Sequence, residues 1–348
     1  MVAFVCLWAH RAHMKNPINL GAFTPTGWGR PPHSDRESNN AAPEPTNVLV
    51  LSGGGIFGAA QAGMLRALVE GSSWRPDVIV GTSAGALNGS WMANEFSTDA
   101  AHRLSDLWCR FDSRGVFPQR GFAQLLNVIR RRPSVQDGAR LRSLIAELCP
   151  AERLEDLDIP LHVSATNIRT GLPHWFSTGV AREVLYASAA LPALVPPAII
   201  DGVAFVDGGV VANLPVQRAA ELGGQSIVCL DVSACGADDL PRTALGMLTR
   251  SFSIALNAAT DAFVEAVSTD RELWRIRPQV DAAINTNDWR ACGRLVEAGH
   301  ESMTAWLAEH GAALEPVVAP EPEIDLRRPG LGSLLRLPHR SVAAPSSI

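Results

Sequence analysis

The sequence predicts an α/β fold, a single three-layer domain in which a mostly parallel sheet lies between helices. Two observations carry this. Apolar runs of strand length alternate along the chain with stretches of helical periodicity, often across a glycine-rich turn, and that alternation is the signature of parallel strands joined by crossover helices. Hydrophobic residues also make up 47% of the 348 residues and charged residues only 19%, below the roughly 25% of an average globular chain. That balance suits a sheet covered on both faces, which has few places for charge, and equally a protein that handles apolar molecules, and composition alone does not separate the two.

The elements follow in order. Asn47–Leu51 is the first strand, Gly53–Gly58 the first glycine turn, and Gly58–Glu70 the first helix, with Ala60, Met64, Leu65 and Leu68 at helical spacing. The unit repeats as strand Asp77–Val80, turn Gly81–Gly85 and helix Ala86–Asn94. Further strands are expected at 161–166, 203–206, 226–231 and 273–276, and helices at 99–109, 138–148, 180–190, 215–222, 243–266 and 289–310. Before the first strand, residues 1–45 are dense in Pro, Gly, Ser and Asn toward their end and read as a flexible leader. Residues 46–312 form the expected domain. Residues 313–348 carry six prolines, at 316, 320, 322, 329, 338 and 345, and read as a tail.

Charge and targeting exclude several roles. A net charge of −5 and a pI near 6.0 provide no positive field for nucleic acid. Val2–Ala9 is apolar but lacks a positive n-region and a small-residue cleavage site. The uncharged stretches Asn47–Leu65 and Val184–Ile200 are broken by glycines or prolines where a globular fold turns. The expectation is a cytoplasmic protein. Six cysteines, at 6, 109, 149, 229, 235 and 292, show no C-x-x-C and no metal-ligand spacing, and read as reduced core thiols. Residues 110–135 interleave Phe111, Phe117 and Phe122 with Arg110, Arg114, Arg120 and Arg130–Arg132, a pattern open to a lid, a peripheral membrane contact or a solvated charge run.

Three motifs carry chemistry. Gly81-Thr82-Ser83-Ala84-Gly85 has the form G-x-S-x-G between a strand and a helix, where it reads either as a nucleophile turn or as a helix entry with Ser83 as N-cap. Gly53-Gly54-Gly55-Ile56-Phe57-Gly58 presents consecutive backbone amides at a helix start, suited to an oxyanion or a phosphate. It also fits G-x-G-x-x-G, with Glu70 or Asp77 as the acidic partner a dinucleotide would need. Val206-Asp207-Gly208-Gly209 ends a strand in an acid followed by glycines, which serves either as a turn or as a base beside a serine. A Ser–acid–His triad would draw on His300 or His310, which follow Asp207 in the chain.

In this order and after strands, the three motifs resemble the patatin-like phospholipase family. The resemblance extends to Gln61–Leu65, to Gly81–Asn88, to Ala165–Gly171 with Phe176-Ser177 as a central hairpin, to Ala187–Pro192 with Pro196-Pro197, and to Asn213-Leu214-Pro215. It implies a patatin-like three-layer sandwich acting as a lipid acyl hydrolase on carboxylic esters. It further implies Ser83 as nucleophile, Asp207 as base and the amides of Gly53, Gly54 and Gly55 as oxyanion hole, with Gly58, Gly81, Gly85, Gly208 and Gly209 as motif support and no metal or other cofactor. One departure stands out: Phe57 occupies the position before the last glycine of the first motif, where many members of the family carry Arg or Lys. An amide-built oxyanion hole does not need that cation, but an anionic head group would miss it.

Overall fold

The computed structural model describes residues 47–110, 138–233, 244–281, 284 and 288–314. The leader before residue 46, the Phe/Arg segment at 111–135 and the proline-rich tail lie outside the described residues.

Eight strands form one sheet: β1 Asn47–Leu51, β2 Val78–Thr82, β3 Leu161–Asn167, β4 Pro173–Phe176, β5 Ala198–Ile200, β6 Val203–Asp207, β7 Ser226–Leu230 and β8 Glu272–Ile276. The described α-helices are α1 Gly58–Gly71, α2 Ala84–Asn94, α3 Thr98–Arg110, α4 Ala139–Leu148, α5 Ala181–Ala189, α6 Val216–Glu221, α7 Ala244–Val267 and α8 Cys292–His310. Strands β3, β2, β1, β7 and β8 run parallel in that order across the sheet. Strands β4, β5 and β6 add an antiparallel wing.

Period-two alternation sorts the strand side chains into two cores. Leu49 and Leu51 of β1, Ile79 of β2 and Val228 and Leu230 of β7 face α1–α5 and α8. Their neighbours Val48, Val50, Val78, Val80, Ile227 and Cys229 face α6 and α7. These parallel strands are therefore buried on both sides, which is why their sequences are continuous apolar runs with almost no charge. Cys149, Cys229 and Cys292 are buried in these layers, as the core reading of the thiols expects, whereas Cys109 is exposed.

The expected elements fall close to their observed bounds, with informative differences. Helix α2 begins at Ala84, two residues early, because the chain turns within the single residue Ser83. A 3-10 turn at Trp289–Ala291 leads into α8. The strand–helix alternation breaks at the antiparallel wing. β5 is only three residues long, follows Pro196-Pro197 and pairs with β6 alone, so it carries too little pattern to be read as a strand. β4 begins at a proline and pairs only with β3, the edge setting in which proline is tolerated.

Helix α1 is buried along most of its length. Its small residues admit α8 at near backbone contact: a Cβ on Gly63 would strike the Val296 carbonyl oxygen, and one on Gly299 would strike the Ala60 carbonyl oxygen. An alanine at an open helical glycine gains up to about 1 kcal/mol from helix propensity. Here overpacking, typically about 1–3 kcal/mol, outweighs it. Gly299→Ala is therefore expected to lower the denaturant midpoint of unfolding, and a raised midpoint would contradict this packing.

Candidate active site

The site forms where two strands end head to head. Strand β3 pairs with β2 through Thr82↔Ser164 and with β6 from Ala165↔Asp207 onward. Residues 163–166 of β3 also pair with β4, which occupies the other edge, so β2 and β6 must share one edge of β3, running in opposite directions. The chain leaves β2 at Ser83 and leaves β6 at Asp207, opposite adjacent residues of the same strand.

Ser83 adopts φ 53° and ψ −122°, a left-handed conformation that a residue with a Cβ holds only at a cost. Its surroundings impose it. The Ser83 N–H donates to Ser188 Oγ at 2.9 Å, and its carbonyl accepts from the amides of Ala86 and Leu87 at 2.9 and 3.1 Å. The flanking glycines are required by close approach: a Cβ on Gly81 would lie 2.8 Å from Ala86 Cα, and one on Gly85 would strike the carbonyl of Leu51. The Ser83 hydroxyl makes no capping bond to α2. It donates instead to Asp207 Oδ2 at 2.8 Å, which removes the N-cap reading.

Asp207 is 2% exposed. Its Oδ1 accepts from the Gly209 amide at 2.7 Å, its carbonyl accepts from Thr166 Oγ1 at 2.9 Å, and its own N–H donates to the Ala190 carbonyl at 2.9 Å. Gly208 has to be glycine because a Cβ there would meet Ser164. Thr82 Oγ1 donates to the Ala212 carbonyl at 2.8 Å and so receives the Ser164 hydroxyl at 2.7 Å. Burial pushes the Asp207 carboxyl up to about 6, against the partial opposing effect of the bonds from Gly209 and Ser83.

The glycine loop passes directly over the serine: a Cβ on Gly53 would lie 3.3 Å from Ser83 Cβ and 2.5 Å from Asn213 Oδ1. Gly53, Gly54 and Gly55 are not equivalent. The Gly53 N–H is committed to the Asn213 carbonyl at 3.0 Å, whereas the amides of Gly54 and Gly55 have no partner among the described residues. Gly54 is partly exposed and Gly55 exposed with φ 59°. Gly58 opens α1 against the Trp108 ring, which lies 2.7 Å from where its Cβ would be. Helices α1 and α2 thus both start at the site, and their positive ends favour a developing negative charge there.

Other candidates lie elsewhere. Glu70, at the far end of α1, is engaged by His300 Nε2 at 2.7 Å and His102 Nε2 at 2.8 Å. Asp77 Oδ2 accepts from the Asn47 amide at 2.9 Å, at the end of β1 opposite the glycine loop. Neither can meet a nucleotide at that loop. His310 Nδ1 lies 3.2 Å from the Trp306 carbonyl oxygen and its ring stacks on Trp306. Burial holds His162 down to about 4, with Arg218 adding to the effect, and His174 packs among Phe176 and Phe205. The Ser83 hydroxyl reaches Asp207 Oδ2 directly, with no imidazole between them; His339 lies outside the described residues. Among the described residues no group of three or more His, Cys, Asp or Glu is arranged to hold a metal, and no helix is long and apolar enough to cross a membrane.

Sequence reasoning missed Ser188, Thr82, Ser164 and the role of Asn213. Hydroxyls that brace backbone leave no spacing pattern to read; Thr82, Ser188 and Asn213 stood inside quoted motifs without an assigned job.

Fold and site together define a three-layer α/β domain with a serine–aspartate pair at a strand–helix turn beneath a glycine loop. Residues 49–220 match the family model described as patatin-like phospholipase, and over that segment the chain belongs to the patatin-like phospholipase family. It is 31% identical over 217 residues to "Lysophospholipase NTE1" of Mycosarcoma maydis, covering 60% of this chain and 11% of that protein. It is 30% identical over 195 residues to "Patatin-like phospholipase domain-containing protein 7" of Rattus norvegicus, covering 56% of this chain and 14% of that protein. The chain thus spans only 11% to 14% of the length of these relatives. The solved structure of VipD from Legionella pneumophila aligns with a TM-score of 0.39 and 17% identity over 78% of this chain and 68% of that one, too loosely to bear on topology.

The raised carboxyl has a thermodynamic consequence. An acid whose folded value of about 6 lies above its ordinary 3.8 binds its proton more tightly in the folded state. Stability from this group is therefore fully present below about pH 3.8, declines as pH rises to about 6, and stays at its lowest above that. The difference is about 3 kcal/mol. Asp207→Asn should accordingly stabilise the protein by up to about 3 kcal/mol at pH 8 and by little at pH 4, as read by denaturant unfolding at the two values. A gain that does not change with pH would contradict burial as the cause.

Proposed function

We propose that residues 46–312 form a serine acyl hydrolase domain that cleaves carboxylic esters of lipids through a Ser83–Asp207 dyad. The observation that carries this is the direct 2.8 Å bond from the Ser83 hydroxyl to Asp207. Support comes also from the strained turn at Ser83 and from relatives named as a lysophospholipase and as a phospholipase-domain protein.

In the proposed cycle Asp207 takes the Ser83 proton as Oγ attacks the ester carbonyl. The carbonyl oxygen gains the negative charge, and the amides of Gly54 and Gly55, with the starts of α1 and α2 behind them, stabilise it. Collapse of the tetrahedral adduct breaks the ester C–O bond, and the departing alcohol oxygen takes the proton from Asp207. Asp207 then accepts a proton from water, whose oxygen attacks the acyl-enzyme; collapse returns that proton to Ser83 and frees the fatty acid. A carboxyl near 6 is the better base for this than one at its ordinary 3.8. Phe57 is buried and offers no cation, so an anionic head group finds no charge partner at that position; peripheral membrane contact is part of the same proposal.

A fluorophosphonate should label the protein once, with mass spectrometry placing the adduct on Ser83, and Ser83→Ala should lose both label and ester hydrolysis while remaining folded. Substituting His102, His162, His174, His300, His310 or His339 in turn should leave hydrolysis within about tenfold of wild type. Turnover surviving in the alanine variant would end the proposal; a histidine as essential as Ser83 would replace the dyad by a triad.

A further inference from the structure

Behind the glycine loop lies a buried chain of side-chain amides that the proposed mechanism does not use. Gln61 and Asn88 are 0% exposed and Trp108 is 1% exposed. The Trp108 indole N–H donates to Asn88 Oδ1 at 2.8 Å. The Asn88 NH2 donates to Gln61 Oε1 at 3.0 Å and to the Gly58 carbonyl at 2.9 Å. The Gln61 NH2 donates to the Leu230 carbonyl at 2.9 Å and to the Ser52 carbonyl at 3.3 Å. Both carboxamides use both N–H groups and their oxygen, so none of their donors is left unpaired in a dry interior.

The arrangement has a direction. An indole N–H can only donate, so it fixes Asn88 with its oxygen toward Trp108 and its NH2 toward Gln61, and that in turn fixes Gln61. The far ends of the chain are the two ends of the glycine loop: Ser52 precedes Gly53, and Gly58 closes the loop. The holder of the Gly58 end, Asn88, stands on α2 five residues beyond Ser83. Loop and nucleophile are thus tied to one another through side chains whose hydrogen bonds go to the loop ends, to β7 and to each other.

Resting on the hydrolase reading above, we propose that Gln61, Asn88 and Trp108 are positioning residues that set the Gly54 and Gly55 amides relative to Ser83. Displacing such donors by an ångström can cost about 100-fold in rate.

The test compares full-length wild type with Asn88→Asp, Gln61→Met and Trp108→Phe. Asn88→Asp replaces the NH2 by an oxygen facing two acceptors. Trp108→Phe removes the orienting donor together with the ring atoms that pack against Gly58 and Trp289, and keeps the proposal falsifiable if the other variants do not fold. In the folded variants, kcat on a soluble short-chain ester should fall about 10- to 100-fold with KM within about threefold. Hydrogen exchange at residues 52–58 should accelerate while exchange in β1 and β7 stays as in wild type. Because the three act in series, the Trp108→Phe/Gln61→Met double variant should be no worse than about threefold below Gln61→Met alone. Folded variants with unchanged kcat, a change confined to KM, or losses that multiply in the double variant would each overturn the proposal. A wild type that neither hydrolyses esters nor takes the label would instead overturn the hydrolase reading, while the exchange measurement would still report whether the chain of amides holds the loop.

Discussion

The structure around the site depends on one edge of one strand. β3 is shared end to end by β2 and β6, which approach from opposite directions and stop at Ser164 and Ala165. Backbone pairing therefore brings Ser83 and Asp207 together before any side chain contributes, although they are 124 residues apart in the chain. The strand ends are then locked by hydroxyls: Ser164 to Thr82, Thr82 to Ala212, Thr166 to Asp207. The end of α5 braces the same point from the other side, through Ser188 to the Ser83 amide and the Ala190 carbonyl to the Asp207 amide. A slip of one residue in either pairing would turn the side chains to the opposite face of the sheet.

Two costs are concentrated there. A carboxylate is held away from water, and a serine is held at positive φ. Both are tolerated because the surroundings over-determine them, with glycines at 81, 85 and 208 letting backbone pass where any Cβ would collide. The same burial that costs stability makes Asp207 a stronger base, so stability and chemistry are opposed at this residue.

Much of the parallel half was legible in the sequence. Strands buried on both faces leave uninterrupted apolar runs, and a strand–glycine–helix turn leaves glycines where backbones must approach. Ser83, Asp207 and the glycine loop were legible for that reason. In the antiparallel wing β6 and the β3–β4 hairpin were legible, but β5 was not, since it is three residues long, preceded by two prolines and paired along one edge. The inequality within the glycine loop was also hidden: only the fold shows that Asn213, 160 residues away, takes the Gly53 amide and leaves the following two. Gln61 and Asn88 sat within the motifs as ordinary polar helix residues, and nothing in their spacing shows that they bond to each other.

In the proposed mechanism Asp207, without a histidine, takes the serine proton. The most direct measurement is the pH dependence of the second-order rate of fluorophosphonate inactivation in wild type and in Asp207→Asn. A buried base titrating near 6 predicts a rate that rises through an apparent pKa close to that value and levels off, and an asparagine variant that stays near background at every pH. An Asp207→Asn protein that reacts with the wild-type profile would show that another group activates Ser83.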